Sequence, residues 1–277
     1  MRRQIEPADG AGVTKHRLKA ETLGVVPGLS AFGGLLNFFS GNLTRRTLLF
    51  ALIPLIFLSY FGMLASAIVL SPIAYDWRYS VISHLISPRN NPGFHTVPSL
   101  GIAITGLLIV PFAGYINRRL CVASRLGANI GAVAFANGAI WLTLAGLIVS
   151  QSHHGTSSLP RLHEICARTA ALGIGTGLIA FCLCALKGYF IQKLYQRRLL
   201  ISWILLTLCP ILGIVFSECL LGIMRAHLLW SYPIDRLKNS LFWHLAFWEW
   251  IGSAAVFLFL LSSALFLPEQ ASVPSRI

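Results

Sequence analysis

Long uncharged apolar stretches dominate the hydrophobic and polar pattern of this 277-residue chain. Six of them lack Asp, Glu, Lys and Arg and have roughly the 17 to 25 residues that an α-helix needs to cross the hydrocarbon of a bilayer. The pattern therefore predicts an all-α integral membrane protein, a bundle of six transmembrane helices. The predicted spans are residues 48–70, 97–116, 126–150, 169–186, 199–217 and 250–267. The helix of the sixth span is expected to begin earlier than its uncharged stretch, near Leu241, and so to include Glu249 in its outer part.

The rest of the chain divides around this six-helix domain, which we place at residues 45–268. Residues 1–21 are polar and basic and predict a flexible cytoplasmic tail. Residues 22–44 are uncharged but contain five glycines, a proline and two serines, which favours an interfacial or re-entrant segment over a seventh span. Residues 269–277 form a short C-terminal tail.

Composition and charge support membrane insertion. The chain is 56% apolar and 11% charged, with a mean hydropathy of +0.72, which excludes an ordinary soluble protein. The net charge of +13 could suggest a nucleic-acid partner, but 15 of the 22 Lys and Arg residues fall in segments 1–47, 117–125, 187–198 and 268–277. By the positive-inside rule both termini are cytoplasmic, in a cell inner membrane or an organelle membrane, and no nucleic acid is expected.

Histidine marks the opposite side of the predicted membrane. Segments 71–97, 151–168 and 218–249 hold seven of the eight histidines, although the cytoplasmic segments are about as long. The exception is His16. Five carboxylates lie in the same non-cytoplasmic segments: Asp76, Glu164, Glu218, Asp235 and Glu249.

The chain also has six cysteines, none of them in a CxxC pair. They indicate neither a disulfide framework nor a zinc ribbon.

This concentration of ionisable groups predicts a functional site. A carboxylate below the headgroups is costly unless it is protonated, paired or hydrated. We therefore expect Glu218 and Glu249 to point into the bundle, near histidines or Arg168. Glu164 and Arg168, four residues apart, share one helix face. The candidates for acid and base chemistry are His163, Glu164, His244 and Glu249, whereas Asp76, Arg168 and Glu218 are candidates for structural or lipid-headgroup contacts.

Three interpretations of these residues remain open at the level of sequence. They could be hydrogen-bonded side chains that lock helix ends together, a site for a lipid or small molecule, or a zinc site at His84, His163 and His244. The chain contains no HExxH or HxxxH motif, and neither GxSxG nor a P-loop is present.

A few positions resemble a known group. These are Ile82-Ser83-His84 in the first outer loop, Gln151, Leu162-His163-Glu164-Ile165-Cys166-Ala167 at the fourth span and Glu249-Trp250 in the sixth. The pattern is similar to the Frag/DRAM/Sfk group of autophagy-modulator and GPI-anchor lipid-remodelling proteins, and to a bacterial six-helix family of unknown function. The resemblance implies a role in lipid handling with His163, Glu164 and Glu249 as the matching polar positions. Four positions depart from the group's pattern: His84, Ile86, Glu164 and Cys166.

These observations favour a membrane protein whose polar site at the non-cytoplasmic face binds or remodels membrane lipid. Whether a reaction is catalysed stays open. The alternative is a non-enzymatic scaffold or a subunit of a larger membrane complex, with outer tryptophans such as Trp77, Trp230 and Trp243 contacting other subunits. A transporter is less favoured, because spans one to five carry no ionisable residue near mid-membrane.

Overall fold

A computed structural model describes residues 33–34, 36–71, 74–150, 159–225 and 241–268, and the regular secondary structure of these residues is all helical. Six of its helices are long and apolar enough to cross a bilayer, so the chain is a multi-pass integral membrane protein, as predicted. We number the helices in chain order: α1 Arg45–Leu70, α2 Ile82–Ile86, α3 Thr96–Leu120, α4 Arg125–Ser150, α5 Leu159–Gln192, α6 Arg197–Arg225 and α7 Leu245–Phe266.

Because the spans alternate in direction, the bundle has two distinct ends. We call the end near Leu70, Thr96 and Leu245 the histidine end, and the end near Arg45, Arg125 and Arg197 the arginine end. The observed helices are longer than the predicted spans, most of all α5, which has 34 residues and takes in charged residues at both ends. Charged residues end an uncharged window but not a helix, since their long side chains can reach the headgroups.

Glycine lets α3, α4 and α5 approach closely. A side chain at Gly106 or Gly146 would collide with the backbone of the facing helix across the α3–α4 contact. Gly138 on α4 lies against Gly173 on α5, and Gly177 lies against Phe135 in the same way. In a bilayer, where lipid is as apolar as leucine, such close backbone packing is a main source of helix association. These three helices therefore form one tightly packed layer.

Helices α6 and α7 form a separate, tightly packed pair. The rings of Trp203 and Phe259 stack with centroids 4.3 Å apart, and Trp203 Nε1 donates to Ser262 Oγ at 3.0 Å. Nearer the histidine end, the indole of Trp248 covers Gly213, where any side chain would collide with it. Large aromatic groups thus join this pair at two depths.

Helix α1 is irregular around a proline. Two π-helical turns, Leu48–Leu52 and Leu58–Gly62, lie on either side of Pro54. Proline cannot donate a backbone hydrogen bond, and its ring crowds the preceding turn, so the local helix widens. Ser59, in the second of these turns, contacts α3 through a hydrogen bond in which Ser59 Oγ and Thr105 Oγ1 are 2.8 Å apart.

Arginines fasten the arginine end. Arg45 donates to the carbonyl of Leu267 at 2.6 Å and Arg119 donates to that of Pro268 at 3.0 Å, just beyond the C-terminus of α7. Such carbonyls have no partner within the helix and carry partial negative charge. Tyr195 donates to the Arg119 carbonyl at 2.8 Å, and burial raises the pKa of Tyr195 to about 12, which keeps it a neutral donor.

The described part of segment 22–44 packs at the same end. Ser40 and Gly41 lie on the backbone of α3 at Gly114 and Tyr115, and Gly41 adopts a left-handed φ of 71°. Residues 22–32 and 35 of this segment, and all of residues 1–21 and 269–277, lie outside the described residues. Their predicted assignments therefore stay predictions, as does the orientation of the termini.

We expect Gly138→Ala to lower the free energy of unfolding by about 1–3 kcal/mol, because an added methyl group would force α4 and α5 apart. The matched control is Gly252→Ala, since a Cβ there has no neighbour closer than 3.6 Å. Thermal unfolding in one detergent measures both. Equal midpoints for the two variants would show that close packing at Gly138 does not hold these helices together.

Candidate functional site

A cavity of about 300 Å³ lies inside the bundle, between the α3–α4–α5 layer and helices α1, α6 and α7. Its wall is mainly aliphatic and aromatic, and no Lys or Arg belongs to it among the described residues. Along α7 it extends from Glu249 to Leu260, about 16 Å at 1.5 Å per residue. This length is close to half of the roughly 30 Å hydrocarbon thickness of a bilayer.

The cavity reaches the surface of the bundle. Ala171 on α5 belongs to the cavity wall and is also exposed. One turn further, Gly175 meets Ile211 of α6 only at ordinary contact distance, 3.6 Å from an added Cβ. The α5–α6 side is therefore less closely packed than the α4–α5 side, and it opens the cavity laterally within the span.

Helix α2 covers the polar end of the cavity. Its residues Ile82, Leu85 and Ile86 are buried against Leu64 and Ile102 of the neighbouring spans, so this short helix dips from the loop into the bundle. The loop before it is held by Tyr75, whose hydroxyl donates to the Ser80 carbonyl at 2.6 Å and accepts from Trp250 Nε1 at 3.1 Å. Burial raises the pKa of Tyr75 to about 12, so its hydroxyl stays neutral.

Glu249 anchors α2. Its Oε2 accepts a hydrogen bond from the backbone N–H of Ile82 at 2.8 Å. This N–H is in the first turn of α2, where no carbonyl of the same helix is available to accept from it. The second oxygen, Oε1, makes no hydrogen bond within the described part of the protein, and Glu249 forms part of the cavity wall.

A second polar contact lies one turn below Glu249. Ser253 Oγ donates to the Glu249 carbonyl at 2.8 Å and lies 2.7 Å from Tyr60 Oη of α1. Because the serine hydroxyl has a single proton, already donated, Tyr60 is the donor in this second bond. Tyr60 belongs to the π-helical turn Leu58–Gly62, and π-bulges often occur at functional sites.

His163 belongs to the opposite wall. It is the fifth residue of α5, as Glu249 is the fifth residue of α7, so both lie within the first two turns below the histidine end. Its Nδ1 is 3.0 Å from the carbonyl of Ala145 on α4. A carbonyl only accepts, so Nδ1 carries the proton, and in the neutral ring Nε2 is an acceptor.

The structure thus brings Glu249 and His163 to one cavity but leaves their neighbours outside it. Glu164 is exposed and pairs with Arg168 at 2.7 Å, which confirms the shared helix face. His163 and Glu164 are separated by about 100° around the helix axis, and of the two only His163 belongs to the cavity wall. Neither Glu164 nor Arg168 belongs to the cavity wall.

The remaining predicted residues lie around the histidine end. His84 is exposed, and the ring of His244 meets that of Tyr79 edge to face at 4.7 Å. No group of three or more His, Cys, Asp or Glu within the described ranges could hold a metal, so the predicted set of His84, His163 and His244 gains no support as a zinc site.

Two predicted headgroup contacts also lie outside the cavity. Glu218 is exposed on α6, whereas its neighbour Ser217 is buried, so the expectation that Glu218 points inward was wrong. Asp76 pairs with Arg78 at 2.9 Å, and the hydrogen bonds from the Arg78 side chain and backbone lower the pKa of Asp76. Among the outer tryptophans, Trp77 is 46% exposed, Trp243 packs on Phe216, and Trp230 lies outside the described residues.

Sequence reasoning did not identify Tyr60, Ser83 and Ser253 as residues of the site. Tyr60 and Ser253 are 193 positions apart, so no local spacing connects them. A tyrosine well inside a span was the available signal, since a buried hydroxyl needs a partner.

No protein-family model, curated protein or solved structure matches the chain. The similarity to the Frag/DRAM/Sfk group and to the bacterial six-helix family therefore stays a prediction, supported to the extent that the described residues contain six candidate spans.

Glu249→Leu should destabilise the protein by about 1–3 kcal/mol, because the buried Ile82 N–H would lose its acceptor. The matched change Glu164→Leu removes an exposed i,i+4 pair and should cost no more than about 0.5 kcal/mol. Thermal unfolding of the two variants in the same detergent measures the difference. A Glu249→Leu midpoint equal to that of Glu164→Leu would contradict the anchoring role of Glu249.

Proposed function

We propose that this protein binds a membrane lipid, with an acyl chain in the cavity and the lipid's polar group near Glu249 and His163. The observation that carries the proposal is the shape and polarity of the cavity. It is a long apolar chamber whose polar residues nearest the histidine end are Glu249, His163, Ser83 and the Tyr60–Ser253 pair. A lipid has the same distribution of apolar and polar groups.

The dimensions of the cavity agree with one chain of one leaflet. Its length along α7, about 16 Å, is close to the thickness of half the hydrocarbon layer. A volume of about 300 Å³ is at the lower limit of typical ligand pockets, which run from about 300 to 1,000 Å³. A single chain suits this space better than a complete two-chain phospholipid.

Occupancy by hydrocarbon is also favoured energetically. Hydrocarbon in this space would supply the dispersion contacts that its aliphatic and aromatic wall lacks when nothing is bound. The exposed position of Ala171 gives a chain lateral access from the bilayer without passing through water. Binding therefore needs no large conformational change of the bundle.

Glu249 and His163 also supply groups that could transfer a proton to or from a bound lipid. Remodelling of the lipid is thus compatible with the site, while binding is the function that the geometry supports best.

Ala171→Phe tests the proposal, because the larger ring would obstruct the opening of the cavity. We expect native mass spectrometry of the purified protein to show at least a tenfold loss of retained lipid. The matched control is Leu172→Phe, at a neighbouring position that is 72% exposed and outside the cavity wall, which should retain lipid like the wild type.

Thermal unfolding of both variants checks that the bundle is intact. Equal lipid retention by Ala171→Phe and Leu172→Phe, or a wild-type protein without retained lipid after extraction from native membranes, would contradict the proposed function.

A further inference from the structure

The polar end of the cavity offers mainly hydrogen-bond acceptors. Glu249 uses Oε2 to accept from Ile82 and keeps Oε1 for a ligand. His163 donates through Nδ1 to Ala145, so Nε2 of the neutral ring is a second acceptor. The oxygen of Tyr60 retains acceptor capacity as well, since its proton is directed to Ser253.

Most hydrogen-bond donors at this end of the cavity, in contrast, already have a partner in the protein. The protons of Tyr60 and Ser253 and the Nδ1–H of His163 all bind to protein oxygens. Among the described polar side chains nearest the histidine end of the cavity, Ser83 alone has a hydroxyl without a protein partner. The polar end of the cavity therefore offers one hydroxyl donor, Ser83, and three acceptor atoms, Glu249 Oε1, His163 Nε2 and Tyr60 Oη.

The charge of the wall agrees with this inventory. Glu249 is an acidic residue, and no Lys or Arg of the described chain lines the cavity to neutralise an anionic head group. The ion pair of Arg168 with Glu164 is exposed on α5, and neither residue belongs to the cavity wall. A phosphate or carboxylate ligand would therefore meet like charge and acceptor atoms, which is unfavourable.

We propose that the ligand is a single-chain lipid with a primary ammonium head group, held by Glu249 Oε1 and His163 Nε2. This inference rests on the proposed lipid binding and specifies its ligand class. An ammonium supplies three donors and no acceptor, and a charge-assisted bond to a carboxylate is stronger than a neutral one. The volume and length of the cavity limit the ligand to one chain.

Three probes of equal chain length test the head group: octadecylamine, octadecan-1-ol and octadecanoate, each titrated into delipidated full-length protein at pH 7.4. Native mass spectrometry measures the bound fraction, and Ala171→Phe and Leu172→Phe separate cavity binding from adsorption to the detergent micelle. We expect octadecylamine to bind at least tenfold more tightly than either of the other probes.

Glu249→Gln should abolish this preference, because the amide oxygen can still accept from Ile82, whereas an uncharged NH2 donor replaces the charged acceptor that faces the head group. Glu164→Gln also removes one negative charge at the histidine end, but outside the cavity, and should keep the preference.

The outcomes separate the two proposals. Equal or tighter binding of octadecanoate, equal binding of octadecan-1-ol, or a preference unchanged by Glu249→Gln would overturn the ammonium inference while chain binding stands. Binding of all three probes that Ala171→Phe does not reduce would overturn the lipid-binding proposal itself.

Discussion

Close glycine contacts across α3, α4 and α5 are the constraint on which the rest of this bundle depends. Gly138 against Gly173 and Gly177 against Phe135 bring backbones together at distances that any larger residue would prevent. Helices α6 and α7 form their own pair through aromatic packing of Trp203, Phe259 and Trp248. The α3–α4–α5 layer and the α6–α7 pair meet where small residues of α5 face aliphatic side chains of α6. The cavity lies between these two groups of helices.

The polar groups follow from a second constraint, the cost of an unpaired donor or acceptor in hydrocarbon. Glu249 accepts from the first turn of α2, Ser253 Oγ donates to the Glu249 carbonyl, and Tyr60 donates to Ser253 Oγ. This chain of bonds fixes three helices at the histidine end. It also determines which atoms remain for a ligand, because each donated proton leaves the cavity with one donor fewer.

Hydropathy and length were sufficient to predict all six spans, because membrane insertion depends on local composition. The ion pair of Glu164 with Arg168 was also predictable, since i,i+4 spacing sets it. Which acidic residues face inward was not predictable, because each residue turns the side chain by about 100° around the helix axis. Glu218 is exposed although its neighbour Ser217 is buried.

The site itself depends on contacts between distant segments. Glu249 and Ile82 are 167 positions apart, and no sequence spacing reports their hydrogen bond. Among the one-sided histidines, only His163 belongs to the cavity wall in the described part of the protein. The packing of α4 on α5 orients the His163 ring, because His163 Nδ1 donates to the Ala145 carbonyl of α4.

A structure of the protein in lipid nanodiscs would show what occupies the cavity. We expect continuous density for one hydrocarbon chain between α5, α6 and α7, with its polar end beside Glu249 and His163. A cavity filled by the protein's own side chains, or a bound chain whose polar end lies toward Leu260, would contradict it.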